Sequence, residues 1–238
     1  MLWEILKAGR TNNSDDLFTR LAARRVSVSK RGYIVLPHGT GAFNATAKGN
    51  NIIWEYNGER VQGNTCSFNV LRDNGTIRLA FDEALERLEI KNNNALKADL
   101  SDLGGKITST LNLYNCQNIT GDLVDLGGKI TSYLNLYNCK NITGDLADLG
   151  GKITSYLILD NCQNISGVYS GNVYPTGINL SYTGVSAEEM DQNLINLNEN
   201  TSKKGTFTAN GMSRTAASDD AIAGLISKGW TVTGLTKV

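Results

Sequence analysis

An excess of charge of either sign is what this chain most plainly lacks: Lys+Arg 23 are matched by Asp+Glu 23 in 238 residues. Without a basic field there is nothing to hold nucleic acid or an anionic membrane, and neither is expected as a partner. Histidine is down to His38, which stands in Leu36-Pro37-His38-Gly39 and reads as a turn residue. No Ser or Cys motif lies near it, which removes the usual nucleophile–base pairs of hydrolases. Cysteine is scarce, at Cys 4, and never falls at C-x-x-C spacing, so no thiolate metal site is expected. No apolar run is long enough to span a bilayer, so membrane insertion is not expected. Proline is rare as well, Pro 2 against Gly 25, which suits strands joined by tight turns.

What the chain does have is repetition. Three copies of one unit run from Ile107 to Gly167: ITSTLNLYNCQNITGDLVDLGGK, ITSYLNLYNCKNITGDLADLGGK and ITSYLILDNCQNISG. Leu111, Leu134 and Leu157 are equivalent and recur at a step of 23 residues. A fixed period of this size signals a stacked solenoid, because one unit cannot bury its apolar face alone. Within a unit, Leu111-Asn112-Leu113 alternates as a short strand, and Cys116 and Ile119 follow at three-residue steps. This L-x-L-x-x-C-x-x-I pattern resembles the leucine-rich repeat. Leu88 and Ile90 lie one period earlier, so a degenerate copy starts near Ala84 with Asn93 in the Cys position. Another strand is expected at Ile178-Asn179-Leu180, after a short shift of register. In the returning half, Leu123 and Leu126 fit a 3₁₀ turn, and Gly127-Gly128 supplies the positive φ that re-enters the next strand. Cys116, Cys139 and Cys162, one per unit, read as a column of buried thiols, and Cys66 as a core residue elsewhere.

Thr110, Asn112, Tyr114, Tyr133, Asn135, Tyr137, Tyr156, Ile158 and Asp160 occupy the outward strand positions. Tyrosine offers large contact area at low entropy cost, so Tyr114, Tyr133, Tyr137 and Tyr156, with Asn112 and Asn135, form a candidate binding surface. Same-face aromatics also stabilise a sheet without binding anything, and that alternative stays open. Asp122, Asp125, Asp145 and Asp148 recur with the repeat, so they read as hydrogen-bonding turn residues rather than catalytic or calcium-binding carboxylates. Asn118, Asn141 and Asn164 open N-x-S/T triplets but keep a fixed repeat position, which reads as turn chemistry. No catalytic, cofactor or metal residues are assigned.

Around the repeats, residues 32–82 alternate like a small antiparallel β module, with strands at 33–36, 51–56, 65–71 and 76–81. Asn57-Gly58 and Asn74-Gly75 are hairpin signals, and Trp54 reads as core. This stretch resembles a PKD-like or immunoglobulin-like sandwich. The repeats take 83–185. In 186–238, Ser186-Ala187-Glu188-Glu189 is a capping box ahead of one helix, with Met190, Leu194 and Leu197 on one face. Gly205–Ala209 reads as a further strand, Ser218 as the cap of a second helix with Ile222, Leu225 and Ile226 inward, and Trp230-Thr231-Val232 as a last strand. The expected class is therefore mainly β: a small sandwich-like module, a short leucine-rich solenoid and a strand–helix–strand cap. Ahead of it, residues 1–31 carry apolar faces, Leu2, Trp3, Ile5 and Leu6, then Leu17 and Phe18 on a helix opened by Ser14-Asp15-Asp16. They fit either a cap on the neighbouring module or a docking segment. The start of the chain does not read as a secretory leader.

Together with these features, Ser213-Arg214-Thr215-Ala216-Ala217-Ser218 and Lys228-Gly229-Trp230-Thr231-Val232-Thr233 resemble the tail of virion proteins of phages that infect gut Bacteroidetes. The resemblance implies a non-enzymatic fibre, appendage or tail component located on the virion. It would dock through its N-terminal region on other virion proteins, form a homo-oligomer, and present its repeats for host attachment to a surface glycan or protein. The alternative is a bacterial cell-surface leucine-rich-repeat adhesin.

Overall fold

The computed structural model describes residues 31–238 and is mainly β. The expected docking residues Leu2, Trp3, Ile5, Leu6, Leu17 and Phe18 lie outside the described residues. Five antiparallel strands come first: β1 (Arg31–His38), β2 (Gly41–Tyr56), β3 (Glu59–Gln62), β4 (Thr65–Val70) and β5 (Gly75–Ile90). A one-turn helix, α1 (Leu100–Leu103), leads into the repeats. These contribute β6 (Ile107–Asn112), β8 (Tyr133–Asn135), β10 (Tyr156–Ile158) and β12 (Gly177–Asn179) to one sheet, and β7 (Thr120–Asp122), β9 (Asn141–Asp145) and β11 (Asn164–Ser166) to another. The chain finishes with α2 (Ala187–Asn200), β13 (Thr206–Arg214), α3 (Asp219–Ser227) and β14 (Thr231–Lys237).

The large sheet is 11-stranded, ordered β14-β13-β12-β10-β8-β6-β5-β2-β3, with β1 added on β5 and β4 on β2. From β5 to β14 the neighbours are parallel, and the apolar ladder runs Leu88–Leu111–Leu134–Leu157–Ile178–Phe207–Val232 in register. Leu111, Leu134 and Leu157 are buried, as are Leu113, Leu136 and Leu159 behind them. Each fully buried leucine contributes about 2 kcal/mol of transfer free energy, which is why an isolated unit would not hold its shape.

The returning halves follow the expected turn chemistry. Leu123–Leu126 and Leu146–Leu149 are 3₁₀ turns, and Gly127 and Gly150 after them take φ 60° and 66°. Side chains then tie each unit to the one before. Thr131 and Thr154 Oγ1 donate to the carbonyls of Thr108 and Thr131 at 2.9 and 3.0 Å. Asn118, Asn141 and Asn164 Nδ2 donate to the carbonyls of Asn94, Gln117 and Lys140, so the N-x-S/T asparagines are inter-repeat bonds.

The antiparallel part departs from expectation. β2 and β5 are 16 residues each, where strands were expected only at 51–56 and 76–81. The register shifts between Lys48 and Ile53, and Asn51 and Glu83 take positive φ, so both strands bend partway along. The missed half of β2 alternates Phe43, Ala45, Ala47, and the two alanines carry little apolar signal. The expected boundary at 82/83 therefore falls inside β5. This strand pairs antiparallel with β1 and β2 and parallel with β6, and one hydrophobic cluster runs from Ile34 to Trp230. A separate sandwich does not form, because the second half of β5 is shared with the first parallel strand. Asn57-Gly58 does close the β2–β3 hairpin, at φ 49° and 83°. Asn74-Gly75 reverses the chain, but β5 pairs with β1 and β2 rather than returning to β4.

At the far end, Ser186 caps α2 with the full capping box. Ser218 does not cap α3; its hydroxyl donates to Asp191 instead, and Thr215 caps the short turn before it. Ile226, expected inward, is exposed, while Ala221 and Leu225 are buried. The strand expected from Trp230 begins at Thr231, because Trp230 is buried with Nε1 donating to the Lys203 carbonyl at 2.6 Å. No helix among the described residues is long and apolar enough to cross a membrane.

Candidate functional site

Strand alternation puts every second residue of the parallel strands on the outer face of the large sheet. Register then aligns them in rows. One row is Arg87–Thr110–Tyr133–Tyr156–Gly177, and the next is Glu89–Asn112–Asn135–Ile158–Asn179. Tyr114 and Tyr137 begin a third, with rings stacked at 4.6 Å and only 10° apart. Tyr133 and Tyr156 meet edge-on at 6.0 Å. Tyr156 lies over Gly177, where any Cβ would collide with its ring. All four candidate tyrosines thus share the outer face, in two pairs.

Asn112 and Asn135 are placed differently from expectation. They are 7% and 6% exposed and serve as supports rather than as contact groups. Their Oδ1 atoms accept from the backbone N–H of Tyr114 and Tyr137 at 3.1 and 2.9 Å, turning the chain just past the strand. Asn135 Nδ2 also donates to the Tyr133 hydroxyl at 3.0 Å, which fixes the ring. Asn135 lies between Tyr133 and Tyr137 on its strand, and Asn112 between Thr110 and Tyr114, with Glu89 and Asn135 beside it on the neighbouring strands.

Thr110 is short, so a groove of about 440 Å³ opens above it. Thr110 and Asn112 form its floor, Tyr133 and Tyr156 one wall, and Arg87, Glu89 and Lys91 of the β5 edge the other. Lys91 Nζ lies 2.8 Å and Arg87 Nη1 3.8 Å from the Glu89 carboxylate, so two cations share one anion. A second groove of about 300 Å³ lies across β5, lined by Asn44, Thr46 and Thr65, and shares Glu89 and Lys91 with the first. Beyond the tyrosines, Asp160 sits on the same face. Burial pushes its carboxyl above the usual range, against the opposing bond from Asn179.

The other repeated groups serve the stack. The thiols of Cys116, Cys139 and Cys162 donate to the carbonyls of Ile90, Leu113 and Leu136 at 3.3, 3.1 and 2.9 Å. All four cysteines are buried and free. Burial pushes Cys116 up to about 11 and both Cys162 and Cys66 to about 12, and raises Cys139 further. Such thiols are neither nucleophiles nor ready metal ligands at neutral pH. Asp122 accepts from the Val124 N–H at 3.1 Å and Asp145 from the Ala147 N–H at 2.8 Å, while Asp125 accepts from the Asp122 N–H. Among the described residues no group of three or more His, Cys, Asp or Glu side chains is placed to hold a metal ion.

One feature departs from the sequence expectation and another adds to it. His38 is not in a turn: it ends β1, is fully buried, and bonds through Nε2 to Asn93 Oδ1 at 2.9 Å. Asn93 Oδ1 also accepts from the N–H groups of Ala95 and Leu96, so this pair staples the antiparallel strands to the first repeat. Asn92, Asn115, Asn138 and Asn161 all take positive φ, between 53° and 67°, and each Nδ2 from Asn115 onward donates to the Oδ1 of the one before. The signal was present as the recurrent Asn before each Cys, since asparagine is the residue that tolerates a left-handed turn. No protein-family model, curated protein or solved structure matches the chain.

Proposed function

We propose that this chain is a non-enzymatic binding and assembly protein, a fibre, appendage or tail component of a phage virion. In this reading it docks by its N-terminal region on other virion proteins and presents a short leucine-rich-repeat solenoid outward, as a homo-oligomer. The solenoid reading is supported by parallel strands β6, β8 and β10 at a 23-residue step, each followed by a buried Cys, and by a 3₁₀ return after the first two. The observation that carries the functional reading is the outer face itself. Its tyrosines are held in fixed pairs on a bonded scaffold, whereas the repeated Cys and Asp groups are spent on internal bonds.

The test is incorporation. Purified particles should contain the chain, and a full-length variant with Trp3→Ala and Phe18→Ala should fold yet fail to join them. Absence of the protein from particles, with recovery from a bacterial envelope, would replace this reading by that of a surface adhesin.

A further inference from the structure

We propose that the groove between β5 and β8 is a subsite for an acidic saccharide chain lying across the strands. This names the ligand of the face described above and rests on that face being the recognition surface. Four observations converge on it.

The first is charge. Arg87 and Lys91 share the single carboxylate of Glu89. The two cationic side chains are 45% and 48% exposed and the carboxylate 21%, so the cations stand proud of the acid and leave surplus positive charge facing the groove. A ligand carboxylate or sulfate would complete that set.

The second is hydrogen-bonding character. The floor and ends of the groove offer hydroxyls from Thr110, Ser132 and Ser155. The Tyr133 hydroxyl accepts from Asn135 Nδ2, which leaves its own proton for an incoming acceptor. Such a lining matches the dense hydroxyls of a sugar and offers little to an apolar side chain.

The third is shape. Tyr133 and Tyr156 line one wall with their rings inclined at 62°, so an aromatic face is presented to the C–H face of a pyranose ring. The groove beyond β5 shares Glu89 and Lys91, so the polar trough continues across several strands. Strands are about 4.8 Å apart, close to the advance of one sugar unit, so successive units of an extended oligosaccharide would pass from Arg87 on β5 over Thr110 on β6 to Tyr133 on β8.

The fourth separates a saccharide from a peptide. Extended peptides gain most from pairing with a free strand edge. Here β5, β6, β8 and β10 are interior strands whose ladder partners lie on both sides, leaving only side chains to recognise a ligand.

The full-length protein would be applied at low salt to immobilised uronate-, sialate- and sulfate-bearing oligosaccharides, and titrated with oligogalacturonate, its methyl ester and a hexaglutamate peptide. The expected result is binding to at least one acidic oligosaccharide, weakened about tenfold by Lys91→Gln or Tyr133→Ala. Arg60→Gln, on another part of the sheet, should leave it unchanged. Should Tyr133→Ala misfold, Lys91→Gln at an exposed side chain still decides the matter. No binding to any acidic glycan, equal binding of the methyl ester, preference for the peptide, or insensitivity to Lys91→Gln would each overturn the proposal. A protein incorporated into particles that binds none of these oligosaccharides would sink this inference alone. One missing from particles that still binds them would sink the virion reading alone.

Discussion

Asn138 carries two bonds of the asparagine ladder, donating to Asn115 at 2.6 Å and accepting from Asn161 at 3.1 Å, and holds φ at 59°. Alanine there would lose both bonds and meet left-handed strain, for a combined cost of about 2–3 kcal/mol. Glycine would lose the bonds without the strain, so Asn138→Gly should unfold at a midpoint between wild type and Asn138→Ala. Equal midpoints for the two variants would remove the backbone from the explanation. The buried thiols act at the same scale. Their folded pKa values lie above the free value of 9.0, so the protonated thiol is favoured in the fold. Their contribution to stability is complete below pH 9 and is lost as pH climbs through about 11–12. Urea midpoints should hold up to about pH 9 and fall above it, and a thiol reagent at pH 8 should label the cysteines only after unfolding. The cysteine column was legible because apolar burial repeats with the leucines. His38–Asn93 was not, because its partners are separated by 55 positions and nothing local ties one to the other.

Among the elements, the repeat is the unit that can be removed. Deleting residues 130–152 would join Lys129 to Ile153 and restore the same Gly-Gly-Lys-Ile-Thr-Ser junction. The shortened chain should fold with a β-rich circular dichroism spectrum and a lower melting point, since one set of neighbour interfaces is gone. Deleting 130–151 instead leaves a second lysine in the return turn, Lys129-Lys152-Ile153, which disturbs entry into the next strand and should lower the melting point further. At the other end Asp191, only 4% exposed, accepts from the Thr215 N–H and both the Thr215 and Ser218 hydroxyls, tying α2 to the segment before α3. Burial alone would raise its carboxyl, but these bonds and the nearby Arg214 outweigh it and hold it below the usual range. The stability it supplies is present above the free value of 3.8 and disappears as pH falls below that. Asp191→Ala should cost about 2–4 kcal/mol in denaturant titrations at neutral pH. The sequence pattern supplied the short parallel strands, the 3₁₀ returns and the Ser186 cap, since each leaves a local chemical signature. It did not supply the full length of β2 and β5, where alanines and a bend interrupt the alternation. Ser218 showed the limit of local reading: its place before a helix marked it as a cap, yet Asp191 claims its hydroxyl.

For the whole molecule, the consequence of β5 is continuity. The antiparallel strands and the parallel stack share one sheet and one core, so the face lined by Tyr133 and Tyr156 is anchored on both sides. A rigid platform keeps its side chains in place before a ligand arrives, and binding then costs little ordering. The tyrosines were readable as outward residues from the 23-residue step. The groove was not, because it depends on Thr110 being short between Tyr133 and the β5 cations, a cross-strand relation that register alone creates. On the proposed virion reading, the most direct measurement is binding of labelled full-length protein to gut Bacteroidetes cells, wild type against Tyr133→Ala/Tyr156→Ala, with circular dichroism verifying that both fold. The expected result is saturable binding by wild type and a loss of about tenfold or more in the double variant. Undiminished binding by a folded double variant would contradict the assignment of this face as the recognition surface.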